Sequence, residues 1–426
     1  MEKKKSGAFD LGARGYLLVM LSFVSCYLYS ALTSDSLNVT PASFVERGVS
    51  QNIITIMPTV ASVFGIIGSI LFGILMNKKT AKLGWTIALG IVVVFSLVLG
   101  NASNSTMYAI GFTGCYVGAL ASSQLLGYQI IAYWFPTKRG AALGICTAGF
   151  PLSAATTAAV CGALINVGGG QPTLYFTVMS GVALVALIII GLFIKDYPEE
   201  VGAYPDNNKD FDFETEQKHH QENLEYLKTS KWTVGKCLTT GRMWILWVAV
   251  GATGFLSMGI MANFISFFME QDAAYYGDKF LIMLAVSGVL AIPGSLFVGW
   301  LDVTIGTKKA GILINVMAIL AVAFNLTGIH VLSFISLPLL SVMLGGSSNM
   351  MISCSSAIWG RYDVQNAIRV IQPLNSIFCA VGISVVMGVG NAVSFRTAFW
   401  VMLFIAIAGL IAMCALKVEP IDEDVR

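Results

Sequence analysis

Twelve apolar runs, most of them near twenty residues long, leave this chain few ways to fold. A helix rises about 1.5 Å per residue, so ~20 residues cross the roughly 30 Å hydrocarbon layer of a bilayer. The runs lie near 16–37, 53–76, 85–99, 107–134, 141–167 and 173–194, then 243–269, 279–301, 311–326, 332–357, 370–392 and 397–416. A soluble chain carries charge at about 25% of its positions. Here the figure is 11%, too little to cover the chain with a water-compatible surface. The expected fold is all-α: a polytopic membrane protein whose twelve transmembrane helices form two six-helix halves.

One long hydrophilic stretch separates the two sets of six spans. The expected organisation is an N-terminal half over 1–195, a solvated cytoplasmic connector over 196–241 with a short surface helix near 221–227, and a C-terminal half over 242–426. The halves match at a fixed offset of 225. Asn77 in GILMNKKTAKLG corresponds to Asp302 in VGWLDVTIGTKK, and Trp134 in AYWFPTKRGAA to Trp359 in AIWGRYDVQNA. A matched pair of six-span units argues for duplication.

Lysines and arginines set the expected orientation. Of 25, fifteen fall in the termini and short loops on one side, seven in or beside the connector, and only Arg47, Lys279 and Arg396 opposite. The positive-inside bias places both termini and the connector in the cytoplasm, with the chain in the cytoplasmic membrane. The basic start has no small-residue cleavage site after it, so the first span reads as retained. The eight cysteines form no CxxC pair and mostly lie in apolar runs, as small buried residues would. His219, His220 and His330 have no second set of metal ligands near them in sequence and read as solvated.

With these residues in view, the chain resembles the major facilitator superfamily of transporters over essentially its whole length. The family's loop between spans two and three is degenerate here, with Asn77 where Asp is usual, Lys78 for Arg and Thr80 for Gly. The second-half counterpart keeps Asp302, Gly306, Lys308 and Lys309, the glycine standing one residue late. The resemblance implies alternating access, with a gating role for Asn77, Lys78, Arg139, Asp302 and Arg361. WFPTKRGAALG, followed by KDYPEEVGAYPDN from 195 to 207, further resembles the oxalate/formate antiporter and monocarboxylate-transporter-like branch. It also implies that spans one, four, seven and ten line the pathway while three, six, nine and twelve face lipid.

The residues themselves point the same way. Spans three and twelve carry almost nothing polar, whereas the fourth and tenth are dotted with amides and hydroxyls. Polar groups in hydrocarbon are costly unless they face protein or a watery cavity. Helical spacing aligns Ser22, Cys26, Tyr29 and Thr33 on span one, and Tyr116, Gln124 and Tyr128 on span four. Thr253, Ser257 and Met261 align on span seven, Asn349, Ser353 and Ser356 on span ten, and Gln372 and Asn375 open span eleven. Small serines and threonines also serve close helix packing. The expected substrate-contacting set is Tyr29, Tyr116, Gln124, Tyr128, Ser257, Met261, Asn349, Ser353, Gln372 and Asn375.

All 23 acids and 25 bases fall in termini, loops or span ends. Oxalate-type relatives hold their dianion with a buried arginine and lysine on spans eight and eleven, and neither span has one here. An uncompensated dianion there would face a desolvation penalty of several kcal/mol per charge. A neutral or zwitterionic solute, or a largely apolar monocarboxylate, fits better. Asp35 is the one titratable residue on a first-span face. Counted from a midpoint near Cys26 it sits roughly 13 Å out, where a solvated span-end acid is expected and proton coupling is the rival role. Facilitated diffusion or exchange is expected ahead of proton symport.

The expected function is therefore a secondary active or facilitative transporter for a small organic acid or similar metabolite, with a coupling proton or a counter-substrate as further partner. The alternative is an exporter of larger apolar compounds, allowed by Phe255, Met258, Met261 and Phe264 on span seven; a transporter-derived sensor ranks below both. No cofactor, metal, enzymatic constellation or nucleic-acid surface is expected, and a monomer in the bilayer suffices.

Overall fold

A computed structural model describes residues 10–135, 138–208, 214, 218, 222, 225 and 229–421. The side chains of Asn77, Lys78, Arg139, Asn349 and Arg361 lie outside those described, as does most of the expected surface helix at 221–227. Among the described residues all regular structure is helical. Eleven helices are long and apolar enough to cross a membrane, and the tenth span is described in two apolar pieces, His330–Leu344 and Met350–Gly360. The chain divides into two compact units, Met1–Phe211 and Asp212–Arg426.

Three of the spans start at a side-chain cap. The Thr80 hydroxyl accepts the Leu83 N–H (3.1 Å) ahead of span three, and the Asn104 amide oxygen accepts that of Met107 (2.9 Å) ahead of span four. Ser394 does the same for Thr397 (3.0 Å) at span twelve. Spans ten and eleven form one helical run, His330–Ala392, turned sharply at Gly360 (φ 69°, ψ −175°). Only glycine adopts that backbone readily, which is why the turn sits there.

Lipid tails are as apolar as leucine, so helices in a bilayer hold together by close packing rather than by hydrophobic expulsion. The tightest approaches onto backbone atoms fall on the same pair of spans in each half. A methyl group on Gly149 of span five would lie 2.4 Å from the Phe23 carbonyl oxygen of span one. One on Gly382 of span eleven would lie 2.4 Å from the Phe255 carbonyl oxygen of span seven. Backbone thus meets backbone between spans one and five, and again between seven and eleven.

The described start of the connector is not free in solvent as its charge suggested. Residues 195–208 form a strap across the ends of spans one, three, four and five. Asp196, 8% exposed, accepts the N–H groups of Ala81 (3.0 Å) and Lys82 (2.7 Å) at the start of span three. The Trp134 indole N–H donates to the Lys195 carbonyl (3.0 Å), and Tyr197 stacks on Tyr133 with centroids 4.8 Å apart. Farther along, buried Asp206 accepts the Lys138 N–H (2.9 Å), the Asn207 amide donates to Asp10 (3.0 Å), and Arg14 donates to the Val201 carbonyl. The other end of the connector is bound to the second half: Ser230 donates to buried Asp363, and Asn366 donates to the Trp232 carbonyl (3.0 Å). Asp196 and Asp206 meet unpaired N–H groups at helix starts, so these two carboxylates serve capping.

Enclosure also departs from the expected lipid-facing set. Spans seven, one and four are the most enclosed, and span two the least; spans three and nine are more enclosed than spans two and eight. Span three is packed from two sides in its own half. Gly111 and Gly118 of span four press on Leu99 and Ala88, and Phe176 of span six presses on Gly100.

Candidate functional site

In the first half the polar stripes of spans one and four face each other. The Tyr29 hydroxyl donates to the Tyr116 hydroxyl (3.2 Å), and the rings meet edge-on with centroids 5.7 Å apart. One turn nearer the connector end, the Cys26 sulfur lies 3.5 Å from the Tyr128 hydroxyl. Tyr29, Gln124 and Tyr128 are half-buried and Tyr116 is buried. Phe150 of span five closes on Tyr29 at 6.1 Å. The sequence reading missed it, because one phenylalanine among 25 carries no polar signal.

Span four holds its stripe together with a local distortion. Residues Ala121–Gly127 form a π-helical turn within the continuous run from Ser105 to Trp134. Four residues of α-helix overshoot a full turn by about 40°, so a stripe written at every fourth position drifts around the helix. The i→i+5 bonding of a π turn widens each turn, and four residues then fall short of one. The two drifts offset, which keeps Tyr116 and Tyr128 both facing span one. Ser122 and Ser123 turn their hydroxyls to the Ala119 carbonyl (3.1 and 2.7 Å), satisfying backbone that the π turn releases.

Asp35 is not a solvated span-end acid. It is 3% exposed, on a short 3-10 turn (Asp35–Asn38) directly after the first-span helix. Ser34 donates to its Oδ1 (3.2 Å) and Ser153 of span five to its Oδ2 (2.5 Å). Thr157 lies 3.0 Å behind Ser153, and the Tyr175 hydroxyl of span six donates to the Ala31 carbonyl (3.0 Å). Counting residues from a midpoint could not reveal the side chains that roof it over.

In the second half the hydroxyls of Thr253 and Ser257 donate to the Val250 and Gly254 carbonyls of their own helix (2.8 and 3.0 Å). Both residues are buried, as is Met261, so span seven presents a packed face. Phe255 packs on Phe378 (5.3 Å) and Phe264 on Phe268 (4.7 Å). The aromatic residues that had allowed an exporter are therefore taken up in helix packing. Asn375 lies over Gly254, with a buried Oδ1 that accepts no hydrogen bond. Gln372 and Ser353 are half-buried, and Ser356 is exposed.

Of the gating residues, Asp302 is half-buried, with an Oδ1 that accepts no hydrogen bond among the described residues. The indole of Trp359 is likewise without an acceptor, whereas its repeat mate Trp134 has one in Lys195. His330 is not freely solvated: its Nε2 sits 3.1 Å from Asp272 and its ring stacks on Tyr275 at 3.7 Å. The eight cysteines are free thiols; six are buried, Cys379 is half-buried and Cys414 exposed. Outside the spans, burial pushes the Cys237 thiol up to about 11, with Asp363 adding to the shift, so it stays protonated.

The Major Facilitator Superfamily sequence model matches residues 16–382, from span one into span eleven. The chain belongs to the major facilitator superfamily. Among solved structures it is similar to a bacterial homologue of the human lysosomal transporter Spinster, inward-facing and unoccupied, with TM-score 0.68 and 12% identity over 96% of this chain and 98% of that one. The occupied form of that protein gives TM-score 0.68 at 13% identity, over 95% and 96% of the two chains. A variant of the nucleoside transporter NupG gives 0.67 at 14% identity, over 94% of this chain and 99% of the other. No curated protein matches. At these identities the likeness is one of fold. The superfamily assignment makes this chain a multi-pass membrane transporter with a small-molecule substrate.

Proposed function

We propose that this transporter carries a small organic acid of monocarboxylate type, or a metabolite of similar size, by alternating access. The carrying observation is the first-half wall of Tyr29, Tyr116, Gln124 and Tyr128. It offers hydroxyl and amide donors and an aromatic surface without a basic side chain among its described members. Such a wall suits a solute with one weak charge and an apolar body, since a dianion would lose far more hydration than neutral dipoles return. The resemblance of WFPTKRGAALG and KDYPEEVGAYPDN to the oxalate/formate and monocarboxylate-transporter-like branch supports the same class. Asn349, Ser353, Gln372 and Asn375 are the second-half partners we propose. Asn77, Lys78, Arg139, Asp302 and Arg361 complete the reading as gating residues near the inner ends.

Uptake of radiolabelled monocarboxylates and dicarboxylates into proteoliposomes tests it. Monocarboxylate uptake is expected to be saturable and poorly inhibited by oxalate. Gln124→Ala is expected to reduce it at least tenfold while leaving expression and the thermal midpoint within a degree or two of the parent. Equal transport of oxalate, or normal kinetics in Gln124→Ala, overturns the assignment of substrate class or of site respectively.

A further inference from the structure

Asp35 is a carboxylate at the wrong end of a helix. The first-span helix Gly12–Thr33 ends one residue before it, and a helix C-terminus carries partial negative charge that repels an anion and attracts a cation. Asp35 is also buried, and an ionised carboxylate out of water costs several kcal/mol unless it is paired. Among the described residues no lysine, arginine or histidine pairs with it; its partners are hydroxyls.

The donor hydroxyls offset part of that cost, and a bound cation would offset the rest. Here each donor also has a second acceptor. The Ser34 hydroxyl lies 3.1 Å from the Ser30 carbonyl and 3.4 Å from the Ser30 hydroxyl. The Ser153 hydroxyl lies 3.0 Å from that of Thr157. Either can turn its proton to that second partner and present lone pairs toward Asp35 instead. One carboxylate, a set of neutral hydroxyl oxygens and the end of an interrupted helix are the donor chemistry of a hard monovalent cation.

We propose that Asp35, Ser34 and Ser153 form a sodium-ion site in the first half, and that Na⁺ is a coupling ion of this transporter. The cation removes the uncompensated charge on Asp35 and lets an organic anion move with a counter-charge. The binding site does not depend on which solute is carried.

The test uses the purified full chain with no organic solute present. At fixed pH and ionic strength, with choline replacing sodium, the protein is expected to bind ²²Na⁺ saturably at one ion per chain. Na⁺ is also expected to raise the thermal midpoint where K⁺ does not. Asp35→Asn abolishes both effects, and Ser153→Ala, which keeps the carboxylate, weakens Na⁺ affinity about tenfold. Absence of saturable ²²Na⁺ binding overturns the proposal, as does binding unchanged in Asp35→Asn. A midpoint that follows pH through Asp35 but ignores Na⁺ overturns it too, and assigns the site to a proton. Failure of the monocarboxylate assay leaves these readings untouched.

Discussion

Gly149→Ala is expected to lower the thermal midpoint of the purified protein by about 4–8 °C, while Gly162→Ala on the same helix leaves it unchanged or raises it. The added methyl at Gly149 falls 2.4 Å from the Phe23 carbonyl and 3.0 Å from the Cys26 Cβ, so spans one and five must separate. Overpacking of this kind costs ~2 kcal/mol, and backbone atoms cannot rotate away as a side chain can. At Gly162 nothing lies within 4 Å of the new methyl, and alanine is favoured over glycine in a helix by up to about 1 kcal/mol. Gly382→Ala, against the Phe255 carbonyl, is expected to match Gly149→Ala. Thermal unfolding in detergent reads all three. Equal midpoints for Gly149→Ala and Gly162→Ala would show that the close approach is not what holds these spans together.

The second large effect is expected at Asp196. Removing its carboxylate leaves the N–H groups of Ala81 and Lys82 without acceptors at the positive end of span three. Hydrogen bonds to a charged acceptor contribute about 1.5–3 kcal/mol each, and the site is largely closed to water that would replace it. Asp196→Ala is therefore expected to cost ~3 kcal/mol, a fall in midpoint of about 6–12 °C. Asp196→Asn keeps one acceptor oxygen and should fall between the variant and the parent. A midpoint within a degree of the parent in Asp196→Ala would mean that the strap merely lies on the first half.

Much of the architecture was legible because the bilayer imposes it. Span number and six-plus-six grouping followed from run length and from residues such as Trp134 and Trp359, whose spacing repeats, and the superfamily from the resemblance of the loops at Asn77 and Asp302. What escaped depends on contacts made across the fold. KDYPEEVGAYPDN can be read as a helix end from its prolines, but nothing local says that Asp196 reaches span three or Asp206 the start of span five. The π turn at Ala121–Gly127 leaves the polar pattern of span four unchanged, so periodicity cannot announce it. The facing of Tyr29 and Tyr116 was foreseeable as two stripes, but not as a pair. Ser257 shows the converse: its spacing suited a pathway, yet its proton goes to its own helix.

Both ends of the connector are tied to the bodies they adjoin, through Asp196 and Asp206 on one side and through Ser230 and Trp232 on the other. A gene cut between those points would give two fragments, each retaining the contacts described at its own end. A cut at the apparent border near 196 would strip span three of Asp196 and hand it to the wrong fragment. Reporter insertions and co-expressed split versions therefore belong beyond Asn208, about a dozen residues past where hydropathy alone would place the scissors.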